Sequence, residues 1–181
     1  MKSVKFENKV KLIRDSTNLF KWRNSNNMGY LIEKPKKVSE KEFILDCLEA
    51  DTYRNYISDL PLINYDEVYV LKKDAVNIGI SFLNIKKSPI NNIAYPIIYL
   101  DEKYRKDNNL VIMNLIEHLF VEHVASKIVI QIYDNNILML NCMKAFKINY
   151  CGHIKHIKNM NGSKVGISFF DINREEWENL Q

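Results

Sequence analysis

Apolar and polar positions recur with two different periods along the chain, and the switches between them mark the elements. Residues 4–14, VKFENKVKLIR, alternate loosely and predict a first strand or strand pair. DSTNLFKWRNS then offers Asp15, Ser16 and Thr17 as N-caps for a short helix carrying Leu19, Phe20 and Trp22. Ser39 and Glu42 form a capping box, and Phe43, Ile44, Cys47 and Leu48 recur at helical spacing, which predicts a helix to about Asp51. Pro61 breaks the pattern before EVYVLK at 67–72, which a Lys-Asp turn joins to VNIGISFLNI at 76–85 as an antiparallel hairpin. A strand IAYPIIYL follows at 93–100. Its Pro96 cannot donate to a ladder and predicts an edge or a bulge there.

From Asn108 the positions Leu110, Val111, Met113, Leu115, His118, Leu119 and Val121 give a helix with a wide apolar face. KIVIQIY at 127–133 reads as a buried strand, and NNILMLNCMKAF as a helix that stops near Phe146. Two closing strands, 148–158 and 164–172, are joined by the turn NMNGS. The order predicts one α/β domain over 1–181 with a mixed, mostly antiparallel sheet of about six or seven strands and about four helices. In the central strand-helix-strand crossover, the first turn is where ligands gather. Here that turn is DEKYRKDNN, which leads a strand into a helix with no glycine in it.

Composition narrows the function classes. At 46% hydrophobic and 27% charged, with few Gly and Pro, the chain is an ordinary globular one. The net charge of +4 is spread along it, and the runs KPKK at 34–37 and KK at 72–73 and 86–87 read as solvated surface. The aromatics do not interleave with these charges, which argues against nucleic acid. No apolar run approaches the ~18 residues that span a bilayer. Cys47, Cys142 and Cys151 have no metal or redox spacing and the N-terminus has no apolar signal region, so a reduced cytoplasm is expected. Cys142 and Cys151 read as small buried apolar residues. His118 and His123 do not share one helical face and His153 and His156 sit at odd strand spacing, so no metal site is expected.

Several stretches resemble the GNAT (Gcn5-related N-acetyltransferase) family. FKWRN at 20–24 is similar to the "WRN" segment of the branch with ribosomal-protein N-terminal and amino-sugar N-acetyltransferases. NIGISFLNI resembles the family's "xIGxixl" strand, and YLDEKYRKDNNL stands where the family has "yldpeyRGkGiG". MKAFKINYCGHI resembles "eklGFkxeGxx", with Phe146 and Gly152 in register. NGSKVGISFFDINREEW resembles "nGkyxDxxxmsilreEW", with Asn161, Gly162, Glu176 and Trp177 in register.

The resemblance implies acetyl-CoA as cosubstrate, held in a V-shaped opening beside a splayed strand at 93–100. It implies acetyl transfer to a primary amine, on an amino sugar or a protein N-terminus, by direct attack on the thioester. The backbone of Ile98, Tyr99 and Leu100 would hold the acetyl end. Arg105, Lys106, Asn108, Asn109 and Leu110 would form the pyrophosphate loop, with Asn108 and Leu110 standing where the family has small residues. The family's common Asn falls on Asp134, or with a one-residue shift on Asn135 or Asn136. Its usual acid, a Tyr, falls on Asn141. Tyr95 occupies the strand position nearest the family's base, and His153, which follows Gly152 beside the implied acceptor groove, is a second candidate base. These altered positions keep a second reading open, a GNAT-fold binding or assembly module without turnover. A homodimer through the closing hairpin is equally open.

Overall fold

The computed structural model describes residues 30–49, 65–160 and 163–179. The expected strand at 4–14, the helix carrying Trp22, the break at Pro61 and the tip of the NMNGS turn lie outside them.

Seven strands form one sheet in the order β1-β2-β3-β4-β5-β7-β6. They are β1 (Tyr30–Glu33), β2 (Glu67–Lys73), β3 (Val76–Lys87), β4 (Asn92–Leu100), β5 (Lys127–Tyr133), β6 (Asn149–Met160) and β7 (Ser163–Asn173). Every neighbouring pair is antiparallel except β4 and β5. The β2-β3 turn places Asp74 and Ala75 at φ 48° and 68°, the doubly positive backbone that matches the strands' twist. The helices are α1 (Val38–Glu49), α2 (Asn108–Glu122), α3 (Ile137–Ala145) and α4 (Arg174–Asn179).

Strand alternation divides the side chains between two layers. On one face Leu71, Leu83, Ile98, Leu100, Ile128, Ile130 and Phe170 pack with the apolar faces of α2 and α3. On the other, Ile80, Phe82 and Tyr99 meet Cys47, Phe43, Ile44 and Leu48 of α1.

Two helix starts differ from the sequence expectation. α1 is not boxed by Ser39 and Glu42. Instead Glu40 reaches back to the backbone N–H groups of Lys36 and Lys37 at 2.7 and 2.9 Å. Its other oxygen pairs with the buried Lys72 ammonium at 2.5 Å, and Lys72 also holds Glu33 at 2.7 Å. The Lys37 N–H first, and then Lys72, bring the Glu40 carboxyl down to about 2. α4 was not anticipated. It starts with a capping box in which Asn173 Oδ1 accepts from Glu176 N–H and Glu176 Oε2 accepts from Asn173 N–H. It seats Trp177, whose Nε1 donates to Glu117 at 2.6 Å.

Beneath α2 lies a polar cluster. The rings of Tyr69, His118 and His123 meet edge to face, with centroids 5.1, 5.7 and 6.0 Å apart. Tyr69 hydroxyl donates to Glu67 and lies 2.7 Å from His123 Nε2. His118 is 4% exposed, and neither of its ring nitrogens has a hydrogen-bond partner. Helical spacing alone did not foretell this cluster, because it is completed by Tyr69 of β2, whose ring meets both histidines.

Candidate functional site

β4 and β5 pair only at Ile93–Lys127 and Ala94–Ile128, and then separate. The phase of β4 follows from two bonds. Asp101 N–H donates to Ile78 carbonyl on the β3 side at 2.9 Å, and Ser126 N–H donates to Asn92 carbonyl on the β5 side at 2.8 Å. Backbone groups alternate along an antiparallel ladder, so Tyr95, Ile97 and Tyr99 bond to β3 while Pro96, Ile98 and Leu100 turn their backbone toward β5. Pro96 is the first of these after the pairing ends, at the position where a missing N–H breaks no ladder bond. The β3-β4 register runs without a shift from Gly79–Leu100 to Lys87–Asn92. Of the two sequence expectations for Pro96, the one-sided edge is found and the bulge is not. The N–H groups of Ile98 and Leu100 face the opening.

That opening is a cleft of about 170 Å³ lined by Ile98, Tyr99, Leu100, Arg105, Asn108 and residues 135–139. Gly79 keeps its β4 wall in place. A Cβ at Gly79 would lie 2.3 Å from the Tyr99 carbonyl oxygen and 2.7 Å from Leu100 Cδ2.

Two helices begin at the cleft, each presenting N–H groups and the positive end of its dipole. A 3₁₀ turn (Glu102–Asp107) leads directly into α2, with Asp101 accepting from Lys103 N–H at 3.0 Å. Asn108 has φ −45° and ψ −47°, and no residue between 102 and 110 has positive φ. The turn therefore makes no conformational demand for glycine, which explains how it is built without one. Asn108 is buried against the cleft, and Arg105 pairs with Glu102 at 3.2 Å. The Asp107 carboxylate, beside a site suited to anions, is neutralised by Lys73 at 3.1 Å. At α3, Asn136 is the N-cap, and its Oδ1 accepts from Met139 N–H at 3.3 Å.

Seven of the residues singled out from sequence thus line one cleft: Ile98, Tyr99, Leu100, Arg105, Asn108, Asn135 and Asn136. Lys106 is exposed on the 3₁₀ turn, and Asn109 and Leu110 lie in the first turn of α2 outside the lining. Leu110 packs its side chain on the main core. Asn141 is exposed on α3. Tyr95 is half-buried on the α1 face of β4, opposite Asn84 of β3. His153 on β6 bonds through Nε2 to Asp134 Oδ2 at 2.8 Å. Sequence reasoning missed the α3 wall beyond Asn136, because Ile137 and Leu138 read as part of an apolar helix face, and only the structure leaves them 58% and 50% exposed at the helix start. Cys142 is buried as expected, whereas Cys151 is exposed. Cys151 falls at a register shift of the edge strand β6, between Tyr150 and Gly152.

No protein-family model matches the chain, and no curated protein sequence does. Solved structures do. A spermidine N-acetyltransferase from Vibrio cholerae, in complex with CoA and spermine, superposes with a TM-score of 0.71 at 14% identity, over 84% of this chain and 99% of that one. An acetyl transferase from Salmonella typhimurium, which modifies the N-terminal serine of ribosomal protein L7/L12, gives 0.63 at 14% identity over 81% and 96%. A ribosomal L7/L12 alpha-N-protein acetyltransferase in complex with coenzyme A gives 0.66 at 13% identity over 83% and 97%. The chain has the fold of the GNAT acetyltransferases. Within that fold it is similar to proteins named for acetylating a polyamine and a ribosomal-protein N-terminus. Among the described residues, no helix is long and apolar enough to cross a membrane.

Proposed function

We propose that the protein is an acetyl-CoA-dependent N-acetyltransferase that acts on a primary amine of a small molecule or a protein N-terminus. The observation that carries this reading is the cleft where β4 leaves β5, with the N–H groups of Ile98 and Leu100 turned into it and two helix N-termini at its walls. A thioester carbonyl needs such donors as charge develops on its oxygen during attack. A diphosphate needs helix N-termini and a guanidinium such as Arg105. The cofactor would supply the acetyl group and a thiolate leaving group. The chain's part is to orient the thioester along β4 and exclude water.

Calorimetric titration with acetyl-CoA tests this. Binding in the micromolar range, weakened about tenfold or more by Arg105→Ala, is the expected result. No heat at millimolar acetyl-CoA would refute it. The position equivalent to the family's acid, Asn141, is exposed and outside the cleft, and this favours the second reading of a cofactor-binding module without turnover. Release of free CoA in the presence of an amine separates the two.

A further inference from the structure

None of the described residues lining the cleft is a carboxylate or an imidazole. An amine acceptor is largely protonated near neutral pH, so transfer needs a group that takes a proton. One residue before the lining Asn135 stands Asp134, and its carboxylate holds His153 Nε2 at 2.8 Å. The two side chains come from β6 and from the exit of β5, and between those strands runs β7. They can meet because β7 carries Gly166 at that level, where Asp134 N–H donates to the Gly166 carbonyl at 3.1 Å.

A Cβ at Gly166 would lie 2.4 Å from His153 Nε2 and 2.5 Å from Asp134 Oδ2, inside the hydrogen bond itself. Gly166 does not have a positive φ, so its backbone conformation does not call for glycine. Space for the bond does. Ser168 of β7, opposite His153, adds a hydroxyl 3.4 Å from the second carboxylate oxygen. With Asp134 accepting from Nε2–H, the imidazole is fixed in the tautomer that leaves Nδ1 with a lone pair. The His153 side chain is 26% exposed, enough for a substrate to reach it.

We infer that His153 is the general base of the reaction and Asp134 its positioning residue, an assignment that rests on the acetyl-transfer reading above. The acceptor ammonium loses one proton to His153 Nδ1, and its nitrogen lone pair attacks the thioester carbonyl carbon. As the C–N bond forms and the C–S bond breaks, the departing thiolate takes the second proton from that nitrogen. The products are the acetamide, CoA thiol and a proton returned by His153 to solvent.

The test uses the full chain with acetyl-CoA, and spermidine and a peptide with a free N-terminal serine as acceptor probes. Free CoA release gives the rate, and calorimetry gives acetyl-CoA affinity. His153→Gln is expected to lower kcat about a hundredfold and to remove the acid limb of kcat/KM against pH, with acetyl-CoA affinity unchanged. Asp134→Asn is expected to lower kcat and displace that limb, which a merely structural contact would not do. Gly166→Ala is expected to reproduce the Asp134→Asn profile. A His153→Gln enzyme within twofold of wild type, with the same pH profile, overturns the assignment while leaving acetyl transfer standing. Wild-type protein that neither binds acetyl-CoA nor releases CoA with either probe overturns both.

Discussion

Protonation of His118 should govern stability in mild acid. Burial pushes this imidazole down to about 4, with His123 beside it adding to the depression, against an ordinary value of 6.5. Between those values the unfolded chain binds a proton that the folded chain refuses, so stability is complete above about pH 6.5 and falls as pH drops toward about 4. The whole gap corresponds to roughly 3 kcal/mol, of which about 2 kcal/mol is lost between pH ~7.5 and pH ~5. Burial lowers His123 as well, which steepens the same slope. His118→Leu removes the titrating group together with two buried nitrogens that have no partner. It should raise stability at pH ~7.5 by about 1 kcal/mol or more, and remove about 2 kcal/mol of the loss on going to pH ~5. Urea unfolding of wild type and variant at the two pH values, followed by far-UV circular dichroism, gives the four free energies required. A His118→Leu protein that loses as much stability as wild type between them would refute the reasoning.

Other perturbations reach the frame and the cleft. Lys72→Met leaves Glu33 and the buried Glu40 without their cation and should cost roughly 3 kcal/mol in urea unfolding. Because Glu40 is held near 2, that contribution is lost in wild type only as pH falls from about 4.5 toward 2, after most of the histidine effect is complete. Gly79→Ala drives a Cβ into the Tyr99 carbonyl, and should lower stability by about 3 kcal/mol and acetyl-CoA affinity with it, read by thermal unfolding and calorimetry. Asn136→Ala removes the α3 cap, and should cost about 1 kcal/mol in denaturant and weaken acetyl-CoA binding several-fold.

Some of the site was legible because its residues are neighbours in the chain. The strand ending in Tyr99 and Leu100, the turn through Arg105 and the helix beginning at Asn108 form one continuous run, so local periodicity placed them together. Leu110 shows the limit of that logic. It stands where the family has a small residue, yet helical geometry turns its side chain onto the core. The turn's lack of glycine looked like a defect when compared with a pattern, but a 3₁₀ turn that enters α2 at right-handed angles needs none.

Local pattern also determined the order and boundaries of nearly every element between 67 and 173, because a strand's period and a helix's period are set by the backbone of the segment itself. It further marked Pro96 as an edge or a bulge, and the unbroken β3-β4 register decided for the edge. Which side, and what opens there, depended on the register of β4 against both neighbours. The same holds for Asp134 and His153, which touch only because β7 brings Gly166 between them, and for His118, which meets Tyr69 of β2. Those contacts join residues far apart in the chain, and strand pairing, not local propensity, decides which of them share a face.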